Sequence, residues 1–139
     1  MKTATVLLIA TLAVSGRLMA EEMVVIVNPQ NESNAISRER IAAYYLGEEK
    51  AWIGGLPVRL LDLPADNVER TKFVREVLGK TVQQMKDIWA QNALTGKASP
   101  PKELASDEEV KKAVGGSKIA MGYIKASSVD DTVKVALAL

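Results

Sequence analysis

The sequence contains no cysteine and no histidine. Without cysteine there can be no disulfide, so the core must hold the fold by itself. Together the two absences remove Ser-His-Asp and Cys-His nucleophilic catalysis, and the nitrogen and sulfur ligands of ordinary zinc sites. A metal would have to be held by oxygen alone. Aromatic residues are few, with one Phe, two Trp and three Tyr. Neither charge sign dominates, since 18 basic residues face 17 acidic ones, and no basic stripe suited to nucleic acid appears. Internal repeats and low-complexity tracts are missing as well.

The longest apolar run is Val6–Val14, nine residues without a charge. That is short of the roughly 20 residues a membrane span needs. Lys2 precedes it, Ser15, Gly16 and Arg17 break it, and Leu18-Met19-Ala20 closes on a small residue. Residues 1–20 therefore read as a secretory signal peptide cut after Ala20. A mature domain of residues 21–139 is expected in the periplasm. With no cysteine to carry a lipid, it is expected to be free of a membrane anchor. Removal of Lys2 and Arg17 leaves 16 basic and 17 acidic residues, a length and balance suited to one domain with a real core.

Met23–Val27 is a continuous β-branched and apolar run, the pattern of a strand buried on both faces. Asn28–Asn34 breaks it with turn residues. Ser37 is placed to cap a helix carrying Ile41, Tyr44 and Tyr45, with Gly47 at its end. Trp52–Gly55 reads as a turn and Pro57–Leu63 as a second strand. Asp66 or Asn67 can cap the next helix, where Phe73, Val74, Val77 and Leu78 recur at helical spacing and Gly79 stops it. Thr81 and Gln84 form a capping box, followed by Val82, Met85, Ile88 and Trp89. Thr95-Gly96 ends that helix, and Pro100-Pro101 marks a rigid loop. Ser106 and Glu109 give a second box before Val110 and Val114. Ile119–Ile124 and Val133–Leu137 read as strands. The order β-α-β-α-α-α-β-β implies an α/β fold, with helices packed on a mainly parallel sheet.

Ligands of open α/β sheets sit at the carboxyl ends of strands. Here those ends lead into Asn28–Asn34 and Leu63–Asn67. Free backbone N–H groups at a helix start favour anions, which makes Asn28, Gln30, Asn31 and Ser33, with Ser37, Asn67 and Thr71, the candidate ligand-binding residues. The plainer reading is that Asn, Pro and Ser simply build the turns and caps. Gly79-Lys80-Thr81 lacks both the preceding strand and the earlier glycine of a phosphate-binding loop, whose place is held by Val74; it reads as a helix stop followed by an N-cap. The acidic clusters Glu48-Glu49, Asp107–Glu109 and Asp130-Asp131 read as solvated surface. Trp89 reads as core, and Trp52 fits either core or a ligand platform. Ser117-Lys118 follows a double glycine and reads as a turn, so nothing supports an enzyme. No cofactor is implied.

Ile36-Ser37, Ile41, Tyr45-Leu46-Gly47, Trp52 and Gly55 form an ordered set with Phe73, Leu78-Gly79-Lys80, Trp89, Thr95-Gly96 and Pro100. The set continues through Ser106–Val110, Val114 and Ile119–Ile124. It resembles the phosphate-binding proteins of ABC transporters over residues 24–137. The resemblance implies one three-layer lobe of a type II periplasmic binding protein-like fold. It also implies inorganic phosphate or another small anion as ligand, and a membrane transporter or a homodimeric copy as partner. Family members hold the anion between two lobes and carry Ser-Gly-Thr at the start of the helix that cradles it. The aligned positions here are Val68, Glu69 and Arg70, and a carboxylate at Glu69 repels phosphate. Two functional readings follow: a solute-binding-type transport component, or an envelope interaction or sensory module that holds no small ligand.

Overall fold

A computed structural model describes residues 22–139, so the leader expected over residues 1–20 lies outside the described residues. The elements run β1 (Met23–Val27), α1 (Arg38–Tyr45), β2 (Arg59–Asp62), α2 (Val68–Phe73), α3 (Val82–Leu94), β3 (Lys102–Glu103), α4 (Asp107–Gly115), β4 (Ala120–Lys125) and β5 (Lys134–Ala138). They build one five-stranded sheet in the order β3-β2-β4-β1-β5. β2 pairs in parallel with both β3 and β4. β1 pairs antiparallel with β4 on one side and with β5 on the other. Four strands therefore share one direction and β1 alone runs against them, which is the mainly parallel α/β sheet that the element order implies.

Helix boundaries follow their caps. Ser37 Oγ accepts from Arg40 N–H and Asn67 Oδ1 from Glu69 N–H, which settles the cap of α2 on Asn67. Thr81 and Gln84 complete the reciprocal capping box. The second box is different: Ser106 Oγ accepts from Glu109 N–H, but Glu109 Oε2 reaches past the cap to the N–H of Ala105. Gly79 takes φ +63°, the left-handed turn that ends the π-helical segment Val74–Leu78 continuing α2. The Gly-Lys-Thr stretch is thus a stop and a start.

Neighbouring residues of β4 show the layers. Gly122 faces α4, where a Cβ would come within 2.5 Å of Val110 Cγ1. Tyr123 points to the opposite face, stacking on Phe73 of α2 with ring centroids 4.0 Å apart and planes 5° apart. Tyr45 of α1 meets Phe73 edge-on at 4.9 Å. A glycine admits one helix and an aromatic trio seats two others, so the sheet is covered on both faces. The five residues of β1 and most of β4 are fully buried.

Both tryptophans belong to the core. Trp89 Nε1 donates to Tyr45 O at 2.8 Å, and Trp52 Nε1 donates to Ile119 O at 3.0 Å. Trp52 anchors a tight hairpin, in which its N–H donates to Leu56 O and Gly54 and Gly55 take positive φ. The tip of this hairpin leaves Ile53 76% and Leu56 58% exposed. Among the described residues no helix is long and apolar enough to cross a membrane.

Candidate functional site

The reversed direction of β1 separates the residues that the sequence groups together. Val27, at the end of β1, pairs with Met121 near the start of β4, and Arg59 at the start of β2 pairs with Ala120. The Asn28–Asn34 loop therefore lies at the amino ends of β2 and β4. The Leu63–Asn67 loop lies at their carboxyl ends, one strand length away, about 17 Å. The two loops thus lie at opposite rims of the sheet: a buried apolar run fixes burial, while the direction of β1 depends on a partner 94 residues further along the chain.

At the first end, the polar atoms of the loop are largely engaged in building it. Asn28 is buried; its Nδ2 donates to Val114 O and Gly115 O, both at 3.0 Å, and its Oδ1 accepts from Gln30 N–H. Asn31 Oδ1 accepts from Ser33 N–H, and its Nδ2 reaches Lys118 O at 3.4 Å. These are Asx turns, with the side chain standing in for a backbone acceptor. Ser37 caps α1. Gln30, Asn31, Glu32 and Ser33 line an open groove of about 540 Å³ with Trp52, Ile53, Leu56 and Lys118.

At the second end, Asn67 caps α2 and Thr71 is exposed on that helix beside Arg75 and Lys80. Of the three positions aligned with Ser-Gly-Thr, Val68 is exposed, and Glu69 pairs with Lys125 at 3.2 Å. Arg70 turns inward. Its guanidinium carbon lies 5.5 Å from the Trp89 ring centroid, its Nη1 donates to Leu63 O at 3.1 Å, and its Nε sits 3.4 Å from Asp62 Oδ2 without an aligned hydrogen bond. Glu103, on β3, comes within 3.6 Å of Arg70 Nη1 from the solvent side. Asp62 Oδ1 accepts from Leu63 N–H at 2.9 Å and from the Tyr123 hydroxyl.

Burial raises the Asp62 carboxyl above its ordinary value, against the pull of the Tyr123 hydroxyl, Arg70 and the Leu63 N–H. Burial also pushes the Tyr123 and Tyr45 phenols up, with the Asp62 charge adding to both. Sequence reading named Arg70 only through the family alignment and missed its pairing with Asp62. The available signal was a carboxylate at the end of an apolar strand, eight residues before a cation.

Elsewhere several charges pair at the surface. Lys111 bridges Glu108 and Asp130, and Arg40 meets Glu49. The Thr132 hydroxyl, followed by Lys111, lowers Asp130 to about 2. Asp107 does more than face a helix dipole, because its Oδ2 accepts from Lys125 N–H and fixes the end of β4.

No protein-family model matches the chain, and no curated protein matches it by sequence. Solved structures do match. A Clostridium perfringens protein solved with bound phosphate, assigned as a phosphate ABC transporter substrate-binding protein, superposes with a TM-score of 0.69 at 19% identity, covering 84% of this chain and 44% of that one. An ABC-type phosphate transport receptor of Vibrio cholerae gives 0.65 at 19% identity, covering 83% and 45%. PstS of Borrelia burgdorferi gives 0.63 at 14% identity, covering 83% and 46%. The chain thus spans less than half the length of these proteins, and it has the fold of one lobe of a phosphate-transport binding protein.

Proposed function

We propose that this chain is an exported lobe belonging to a phosphate or small-anion uptake or sensing system in the periplasm, which acts by docking to an envelope partner. It is not read as an enzyme. The fold likeness supports the solute-binding-type assignment. The observation that carries the docking reading is how the candidate anion ligands are used. Asn28, Asn31, Ser37 and Asn67 each commit a side-chain oxygen to a turn or a cap. The Ser-Gly-Thr positions hold a paired carboxylate and an inward-facing arginine. The exposed Ile53 and Leu56 at the tip of the hairpin provide apolar surface of the kind that partners cover.

A second reading rests on the groove beside that hairpin. Gln30, Ser33 and the exposed Lys118 face it together, with the Glu32 carboxylate on the same wall, a set that could meet a small anion through Lys118. Calorimetry on the mature protein with phosphate, sulfate and an organic anion decides between the two. The docking reading expects no saturable heat from any of them. It further expects a photo-crosslinker at position 53 or 56 to trap a transporter or sensor subunit in cells, and one at exposed Leu94 to trap none. Stoichiometric phosphate binding lost in Lys118→Ala would establish the second reading instead.

A further inference from the structure

The carboxyl ends of β2 and β4 hold a group of donors aimed at one point. The Leu63 N–H comes from the residue after β2, the Tyr123 hydroxyl from the middle of β4, and the Arg70 guanidinium from α2. All three meet the carboxylate of Asp62, which is buried, as is Arg70. Two elements consecutive in sequence, β2 and α2, and a strand 61 residues further on thus gather donors around one buried carboxylate, an arrangement that also holds anions elsewhere in proteins. Arg70 Nε, 3.4 Å from Asp62 Oδ2, has no aligned hydrogen bond, while Nη1 donates to Leu63 O and the guanidinium lies over the Trp89 ring. Glu103 lies over the same guanidinium from outside.

We propose that this is an anion-binding seat whose resident ligand is the chain's own Asp62 carboxylate, so that the fold supplies in cis the anion that a free carboxylate-class ligand would otherwise provide. The proposal rests on the docking reading above, in that it explains how this end of the sheet can stay closed to phosphate. Removing the Asp62 carboxylate while keeping its backbone leaves the Leu63 N–H, the Tyr123 hydroxyl and Arg70 facing a vacated space. Formate matches the lost group in charge and in heavy atoms. A ligand that binds the native state and not the unfolded chain raises the melting midpoint by mass action.

The test is thermal unfolding of Asp62→Ala against increasing formate, with chloride holding ionic strength constant. Asp62→Ala is expected to show a saturable rise of several degrees. The wild type, whose seat is filled, and Asp62→Asn, whose amide occupies the same space, are expected to stay flat. Adding Arg70→Met to Asp62→Ala is expected to abolish the response. Should Asp62→Ala alone not fold, formate in the refolding buffer is expected to restore its folded yield, with chloride giving none. A formate-insensitive Asp62→Ala, or an equal response in the wild type or the double variant, overturns the seat. Phosphate binding by the wild type would overturn the docking reading and leave the formate result standing, so the two failures are distinguishable.

Discussion

The Tyr123 hydroxyl donates to the Asp62 carboxylate across the β2–β4 ladder, while the Tyr123 ring stacks on Phe73. One side chain therefore ties the polar cluster at the sheet's carboxyl end to the aromatic packing beneath α2. Tyr123→Phe separates the two roles. It keeps the stack and removes the hydroxyl, leaving a buried carboxylate with one donor fewer, which costs about 1–3 kcal/mol. Urea denaturation is expected to show a lower midpoint at unchanged slope. An unchanged midpoint would mean that the hydroxyl contributes nothing to the cluster.

Gly122 is required by the close approach of α4. A methyl group there meets Val110 Cγ1 at 2.5 Å and lies 3.6 Å from Val114 Cγ2, so Gly122→Ala overpacks the interface. The expected loss is about 1–3 kcal/mol, read as a drop in melting temperature. Pairing it with Val110→Ala makes room, and the double variant is expected to recover part of the loss.

The pH dependence carries a sign. Burial holds the Asp62 carboxyl above its ordinary value of 3.8. A raised acid contributes stability that is present below the unfolded value and lost as pH rises through the folded one. Asn at position 62 cannot ionise. The stability difference between wild type and Asp62→Asn is therefore expected to move in favour of Asn as pH rises from about 3.8 into the window of the folded value. Urea midpoints for both proteins across that range check it, and movement in favour of the wild type would contradict it.

Trp89 joins α3 to the end of α1 through its bond to Tyr45 O, and it lies beneath the Arg70 guanidinium. Trp89→Phe keeps an aromatic face and deletes the donor, orphaning a buried carbonyl at a cost of about 1–3 kcal/mol. Trp89→Leu also removes the ring under the cation and is expected to cost more. Equal melting temperatures for the two variants would show that the stacking on Arg70 contributes nothing.

Local features were legible in the sequence because their causes are local. Ser37, Asn67 and Thr81 cap where their spacing to the apolar residues places them, and Gly79 stops its helix in the left-handed region that glycine enters freely. The buried strands followed from apolar runs. What stayed hidden depends on pairing. The opposed direction of β1 is set by contact with β4, and it divides the candidate residues between two rims of the sheet. The two-residue β3 follows Pro100-Pro101 and owes its existence to Leu61 and Asp62 alongside it. Asp62, Arg70 and Tyr123 form one cluster only because β2 lies beside β4 and α2 folds back over their ends. The family resemblance located the lobe correctly. The positions it aligns with the family's Ser-Gly-Thr hold an exposed Val68, a Glu69 paired with Lys125 and a buried Arg70 beside Asp62.

Isothermal titration of inorganic phosphate into purified protein comprising residues 21–139 at neutral pH tests the central claim most directly. A lobe whose capping residues are committed to its own turns, and whose arginine faces its own carboxylate, is expected to give only heats of dilution. A saturable isotherm with one phosphate per chain would contradict that account.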